Sequence, residues 1–323
     1  MITRGDRSKA LSDDGTEVSG SRTILGWTTY TLYYVVKFDH PWKSAVRQPA
    51  NACDGRGDRF ELAFGAEDGP ALGVRVALST VSVEGARRNL AAESDGVTFE
   101  AAAAANRAAW NEILARAVVE EGSDEQKTNW YTALYRVCIQ PNNIADVDGS
   151  YRGDDGKVRV APSGRYYSTL SLWDTFRAAH PLYTLLVPER VNGFVETMAL
   201  HYKAHGHLPV WPLWGRESHD MIGVHSIPVL VDAWAKGFRP VAAERLLEMM
   251  VKSMTANDRE WPALAWNITW ENGYIPYRPG IFDEGHVRHG NVSRTLEHAY
   301  DWWCIAQSTS TRSSAGGTRR RRS

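Results

Sequence analysis

Alternation of apolar and polar residues opens the chain, and helical spacing takes over after it. From Arg22 to Phe38, RTILGWTTYTLYYVVKF is rich in β-branched and aromatic residues with partial period-two alternation, which predicts strand. DRFELAFGAEDG, from Asp58, and ALGVRVALSTVSV, from Ala71, repeat the pattern between Gly-rich turns. Two or three strands do not make an independent sheet, so further strands are expected upstream of them. Residues 1–20 are polar and read as a disordered leader.

The period then changes. FEAAAAANRAAWNEILARAVVEEG, from Phe99, is Ala-rich and helical, and SDEQKTNWYTALYRVCIQP follows it. Ser123 with Gln126 three residues later has the form of a capping box. Helices are predicted at LSLWDTFRAAHPLYTLL, PERVNGFVETMALHYKAHG, HDMIGVHSIPVLVDAWAKGF, PVAAERLLEMMVKSMTA and NVSRTLEHAYDWWCIAQ. Helix after helix on loops of moderate length points to a bundle or toroid and away from a parallel α/β sheet. No fixed-period repeat is visible. After Gln307 the chain becomes STSTRSSAGGTRRRRS, with Arg312 and Arg319 to Arg322. A basic arm for nucleic acid is one reading of 308–323. A disordered, Arg-rich tail, of the kind a shifted reading frame produces, is the reading adopted, because no other basic patch supports nucleic-acid binding.

Composition adds limits. A chain of 323 residues with 43% hydrophobic content can bury a sizeable core. The net charge of -1 gives no global pull towards nucleic acid or an anionic membrane. No run of eighteen apolar residues predicts a transmembrane helix, and MITRGDRSKALSDDG has no apolar core of a signal peptide. Cys53, Cys138 and Cys304 are too few and too scattered for a disulfide framework or a zinc site, and read as inert thiols. Thirteen Trp and thirteen Tyr are the anomaly. Most must be core, but aromatic rings also pack on the C–H faces of sugars, whose hydroxyls call for acids, amides and Arg.

Several motifs fail on their chemistry. DVDGSYRGDDG, Asp146 to Gly156, has Lys157 where a calcium-binding EF-hand needs a bidentate Glu, so it reads as a carboxylate-rich turn. Arg-Gly-Asp at Arg4, Arg56 and Arg152 is too short to imply adhesion. No GxGxxG, P-loop or GxSxG is present. Asn267-Ile-Thr and Asn291-Val-Ser are sequons that matter only in a eukaryotic secretory context.

YYSTLSLWDTFRAAHPL, Tyr166 to Leu182, is more specific. Ser171 is expected to cap a helix, with Asp174 in its first turn where the macrodipole favours an anion. Trp173 and Arg177 are four apart and share a face. A capping Asp with a stacked Arg accounts for the same residues. GHLPVWPLWGRESHDMIGVHS, Gly206 to Ser226, adds Glu217, His219, Asp220 and His225 beside two Trp. Paired carboxylates by aromatic platforms are what glycosidic hydrolysis uses, one as acid and one activating water or attacking. Asp174 and Glu217 are that pair by residue type alone, unless Glu217 is satisfied by local amides.

These two stretches, with SVEGARRNL, DVDGSYRGDDGKV and SRTLEHAYDWWCIAQ, resemble glycoside hydrolase family 92, the calcium-dependent exo-acting α-mannosidases, over about Gly26 to Gln307. The resemblance implies an α+β multidomain chain: a remnant of an N-terminal β-sandwich (21–98) followed by a partial (α/α)6 toroid (99–307). It implies inverting removal of terminal α-1,2-linked mannose from N-glycans or yeast mannan, and a periplasmic or secreted location. The aspartate matching Asp174 reaches into the family's mannose pocket. Trp173 and Arg177 match as lining or supporting residues, and Glu217 and His225 as further pocket candidates. The family's acid and base, in Thr-Glu-Gly-Asn-like and Gly-Asn-Asp-like segments, and its main Ca²⁺ ligands follow the point matched by Gln307. The Glu matching Glu217 is not that acid. No catalytic residue and no complete Ca²⁺ site are therefore expected here, and the chain reads as a truncated, inactive fragment that meets mannose-containing glycans, with no nucleic-acid or membrane partner. Tyr300-Asp301-Trp302-Trp303 departs from the family's Tyr-Asp-Asp-Trp. A non-catalytic mannose-binding or structural remnant is the alternative. A different (α/α)6 enzyme, such as a trehalase or glucoamylase relative, would need its own acid and base in this span.

Overall fold

Strands come first and helices after. The computed structural model describes residues 7–48, 59–65, 69, 71–256, 266–276 and 290–316. They fall into two units. One holds the chain to Ala115 with 143–152 and 156–166, and the other holds 116–142, 153–155 and 167 onwards.

In the first unit, β1 (Arg7–Leu11), β2 (Glu17–Leu25), β3 (Thr29–Phe38), β4 (Ser44–Gln48), β5 (Arg59–Ala63) and β6 (Val74–Ser79) form a four-stranded antiparallel sheet, β1-β2-β3-β6, and a separate β4-β5 ribbon. The leader expected to be loose carries β1 and the start of β2. Its residues pair in register, Lys9 with Gly20 and Leu11 with Val18, because β2 offers them a ladder. The run from Arg22 to Phe38 is two strands, broken between Leu25 and Thr29.

Helix begins earlier than expected. Ser82 accepts from the Gly85 amide and starts α1 (Val83–Ser94), so the strand-like STVSV ends at β6. Ala86 and Leu90 of α1 pack on Val35 and Ala77 of the sheet. On the alternate positions of β6, Val74, Val76 and Leu78 stay exposed. Asp146 is buried and accepts from the Ser79 hydroxyl and the Asn89 amide, 2.9 Å each. Tyr151 and Tyr166 stack at 4.0 Å. α2 (Phe99–Leu114) buries no residue and belongs to this unit, so the helical unit starts near Arg116 and not at 99.

The second unit holds α3 (Asp124–Ile139), α4 (Leu172–Thr175), α5 (Ala179–Leu186), α6 (Pro188–His205), α7 (Ser226–Ala235), α8 (Ala243–Thr255), α9 (Trp266–Asn272) and α10 (Asn291–Gly316). The Ser123–Gln126 capping box forms with both of its hydrogen bonds. Pro188 opens α6 and left-handed Gly206 closes it. Met198, Leu208, Ile227, Leu230, Met249 and Met254 are fully buried at the centre. Two boundaries differ from expectation. The helix predicted over 170–186 breaks into α4 and α5, which places Pro181 in a first turn, where its missing amide costs no hydrogen bond. α10 runs past Gln307 to Gly316, since nothing between them breaks a helix; Arg319 to Arg322 lie outside the described residues.

Cys138 and Cys304 are free thiols, and burial pushes Cys304 up to about 11; Cys53 lies outside the described residues. Among the described residues no helix is long and apolar enough to cross a membrane.

Candidate functional site

α4 is a single turn, so no macrodipole holds Asp174, and Ser171 does not cap it. The Ser171 hydroxyl instead donates to the Asp174 carboxylate. Asp174 is otherwise exposed to solvent. One position earlier, the Trp173 indole N–H is buried with no acceptor among the described residues. Arg177 stacks over both Trp173, 4.5 Å from the ring centre, and Phe176, 4.7 Å away, and donates to the Trp173 carbonyl.

This turn is anchored from α10. Glu297 lies 3.5 Å from the Arg177 guanidinium and 3.1 Å from His225 Nε2. The other nitrogen of His225 lies 3.4 Å from Asp301, whose second oxygen accepts from the Val224 amide at 2.8 Å. Phe176 stacks on the His225 ring at 4.0 Å. Burial raises the Asp301 carboxyl above its usual range although His225 and the amide pull the other way. Trp173, Arg177 and His225 therefore belong to one network, which Glu297 and Asp301 complete. Sequence reasoning passed over those two; their four-residue spacing on a helix was the available signal.

Glu217 sits elsewhere. Its carboxylate accepts from four backbone amides, those of Val210, Trp211, Ser218 and His219, at 2.9 Å each. Its own amide donates to Asp154 at 2.8 Å, and His201 is 3.4 Å away. Burial alone would raise its carboxyl, but His201, His219 and the amides outweigh burial and hold it far below the usual range. Asp154 also binds His205 at 2.7 Å, and the His205 ring lies 5.2 Å from that of His219. The loop so held needs left-handed backbone at Trp214, His219 and Met221, none of them glycine. Glu217 thus organises a strained loop. It cannot give up a proton near neutral pH, and no contact joins it to Asp174 among the described residues. The pairing of Asp174 with Glu217 as acid and base fails on that ground, and satisfaction by local amides is what the structure has.

Calcium is implied by the family resemblance. Among the described residues no three His, Cys, Asp or Glu side chains converge to hold an ion. Three of the four carboxylates of the Asp-rich turn are already committed: Asp146 to Ser79 and Asn89, Asp148 to Arg88 and the Ser150 amide, Asp154 to His205 and the Glu217 amide.

Residues 85–316 match the family model described as the glycosyl hydrolase family 92 catalytic domain. The chain belongs to this family. Among solved structures, a family GH92 alpha-mannosidase from Bacteroides thetaiotaomicron is 27% identical, with a TM-score of 0.84 over 97% of this chain and 42% of its own. The complex of that mannosidase with mannoimidazole gives 28% and 0.82, over 95% and 41%. The family GH92 inverting mannosidase of the same organism gives 29% and 0.83, over 94% and 42%. The chain thus spans less than half the length of these family 92 relatives. Comparison with the curated proteins finds no match. The strand-then-helix order agrees with an α+β family 92 chain.

Proposed function

We propose that the turn from Trp173 to Arg177 grips the terminal mannose of an α-mannoside, as the recognition wall of a family 92 catalytic domain. The observation that carries this is hydrogen-bonding capacity left unspent on one turn. The Trp173 N–H is buried without an acceptor, and the neighbouring Asp174 carboxylate is exposed with one hydroxyl on it. A carboxylate takes paired sugar hydroxyls as an acceptor, and an indole N–H supplies a donor beside an apolar ring. Arg177, stacked on Trp173 and tied to Glu297, keeps the turn in shape. The names of the similar enzymes, an alpha-mannosidase, its mannoimidazole complex and an inverting mannosidase, support a mannoside as ligand.

The finer reading follows the family: α-1,2-linked mannose of N-glycans or mannan, hydrolysed with inversion by a completed (α/α)6 domain that binds Ca²⁺, outside the cytoplasm. Inversion needs one carboxylic acid at the leaving oxygen and a second carboxylate on water. Glu217 is unfit as the acid, and no residue of the 323 is assigned either role. The polypeptide as it stands is therefore proposed to bind mannose without releasing it.

Two measurements test this. Purified 323-residue protein with α-1,2-mannobiose and calcium is expected to release no mannose, and release above the blank overturns inactivity. Calorimetric titration with mannose is expected to show binding that Asp174→Asn weakens about tenfold without lowering Tm. Equal affinity of the variant overturns the assignment of Asp174. No binding to folded protein leaves the structural-remnant alternative.

A further inference from the structure

A second recess lies in the helical unit beside the Trp173 turn. It is a cleft of about 310 Å3 between the last turn of α3, the segment Thr169–Ser171 and the first turn of α5. Val137, Pro141, Leu170, Ala179 and Tyr183 give it apolar walls; Arg136, Gln140, Ser171, Thr175 and His180 supply its polar groups. That size is at the lower end of small-ligand sites, and apolar walls with a few polar groups are their usual make-up.

His180 makes the cleft more than a gap in packing. It is 5% exposed, its ring meets Tyr183 and Phe194 edge-on at 5.3 and 5.8 Å, and it has no hydrogen bond among the described residues. Its nitrogens are not sealed in the core, so the imidazole takes its hydrogen-bond partner from the cleft it lines. Burial lowers it to about 4, so at neutral pH one ring nitrogen donates and the other accepts. A hydroxyl, itself donor and acceptor, is its natural complement. Thr169, on the wall, is held at φ 59°, which a β-branched residue adopts only under constraint. No carboxylate lines the cleft, and its one formal charge, Arg136, is exposed.

Neutral donors and acceptors over apolar walls match an uncharged ring that carries hydroxyls on its edge and C–H groups on its faces. We infer that this cleft binds one neutral pyranose, with hydroxyls on His180, Gln140 and Ser171 and a C–H face against Pro141 and Leu170. The inference rests on the proposed function only for the choice of mannose as the sugar. The site is a different one, since neither Asp174 nor Trp173 lines the cleft. The two sites share the Ser171 hydroxyl, which borders the cleft and donates to Asp174. A sugar that draws on this hydroxyl alters what holds Asp174.

The test is a titration of isotope-labelled 323-residue protein with methyl α-mannoside, followed by NMR at the His180 imidazole and the Gln140 amide, with circular dichroism as the check of folding. Both signals are expected to shift. Ala179→Leu, which fills the cleft, is expected to weaken the titration at least about tenfold. Gln140→Ala, on the exposed rim where folding is not at stake, is expected to weaken it about threefold or more. Asp174→Asn is expected to leave these shifts in place. The inference is overturned if folded wild-type protein shows no shift at either residue, or if Ala179→Leu and Gln140→Ala both titrate like wild type. Shifts confined to the Trp173 turn and lost in Asp174→Asn also overturn it, while supporting the mannose reading of Asp174.

Discussion

The imidazole of His225 fills the space where Gly223 would carry a β-carbon: an atom built there stands 2.5 Å from His225 Nε2. Gly223 is also left-handed, at φ 77°. Gly223→Ala therefore meets a steric clash and backbone strain together, and the clash pushes His225 away from Glu297. A loss of about 2–3 kcal/mol in urea unfolding is expected. Gly237 is the control, left-handed at φ 99° with nothing within 4 Å of an added β-carbon, so Gly237→Ala should cost only about 1 kcal/mol. Equal losses in the two variants would show that His225 yields freely and fixes nothing.

Glu217 makes acid stability a readout of loop order. Its folded pKa is depressed, so the stability it contributes is complete above the ordinary carboxylate range and is lost as pH falls through that range and below. Glu217→Ala strands four amides and is expected to cost on the order of 4 kcal/mol at pH 7. Glu217→Gln keeps an acceptor, costs less, and should flatten the fall in stability below about pH 4.5. A wild-type unfolding midpoint that stays level from pH 6 to pH 3, with the variant parallel to it, would contradict this role.

These two residues also mark what the sequence could and could not disclose. The shared face of Trp173 and Arg177 was legible because the stack joins residues four apart, whereas the Ser171 hydroxyl expected to cap the helix goes to Asp174. Alternation exposed strand over 22–38 but neither its break into β2 and β3 nor the start of β2 at Glu17, and the Ser123–Gln126 spacing exposed the start of α3. α1 was missed because VEGARRNL buries only Gly85, Ala86, Asn89 and Leu90 among charged residues, so its apolar stripe is faint. Glu217 was ambiguous because its residue type suits acid catalysis as well as an amide cage. Only the fold brings Asp154 and His201 to it. The tie from Arg177 through Glu297 to His225 joins three distant stretches of chain, and no window of the sequence contains it.

His180 and His298 are both buried, and burial lowers each to about 4. A histidine with a depressed folded pKa binds its proton in the unfolded chain first. Between about pH 6.5 and 4 the unfolded state therefore holds more protons, and stability falls as the pH drops. Each contributes on the order of 3 kcal/mol of this pH dependence. His298→Phe should remove its share and leave a shallower slope of unfolding free energy between pH 7 and 4.5. An unchanged slope would mean that His298 takes up its proton in the folded protein at the ordinary pKa.

Val292, Leu296, Tyr300 and Trp303 recur every three or four residues on α10, so they fall on one side of the helix, and all four are exposed. Behind them Arg294, His298 and Asp301 are buried, so in this helix charged and polar groups face the protein and an apolar stripe faces solvent. A contiguous exposed apolar stripe drives association when nothing covers it. Leu296→Lys with Trp303→Lys is expected to raise soluble yield and to reduce light scattering on warming. The unfolding free energy should move by no more than about 0.5 kcal/mol, since neither side chain is in the core. A drop of several kcal/mol would show that the stripe is packed in solution, and unchanged scattering would place the cause of association on another surface.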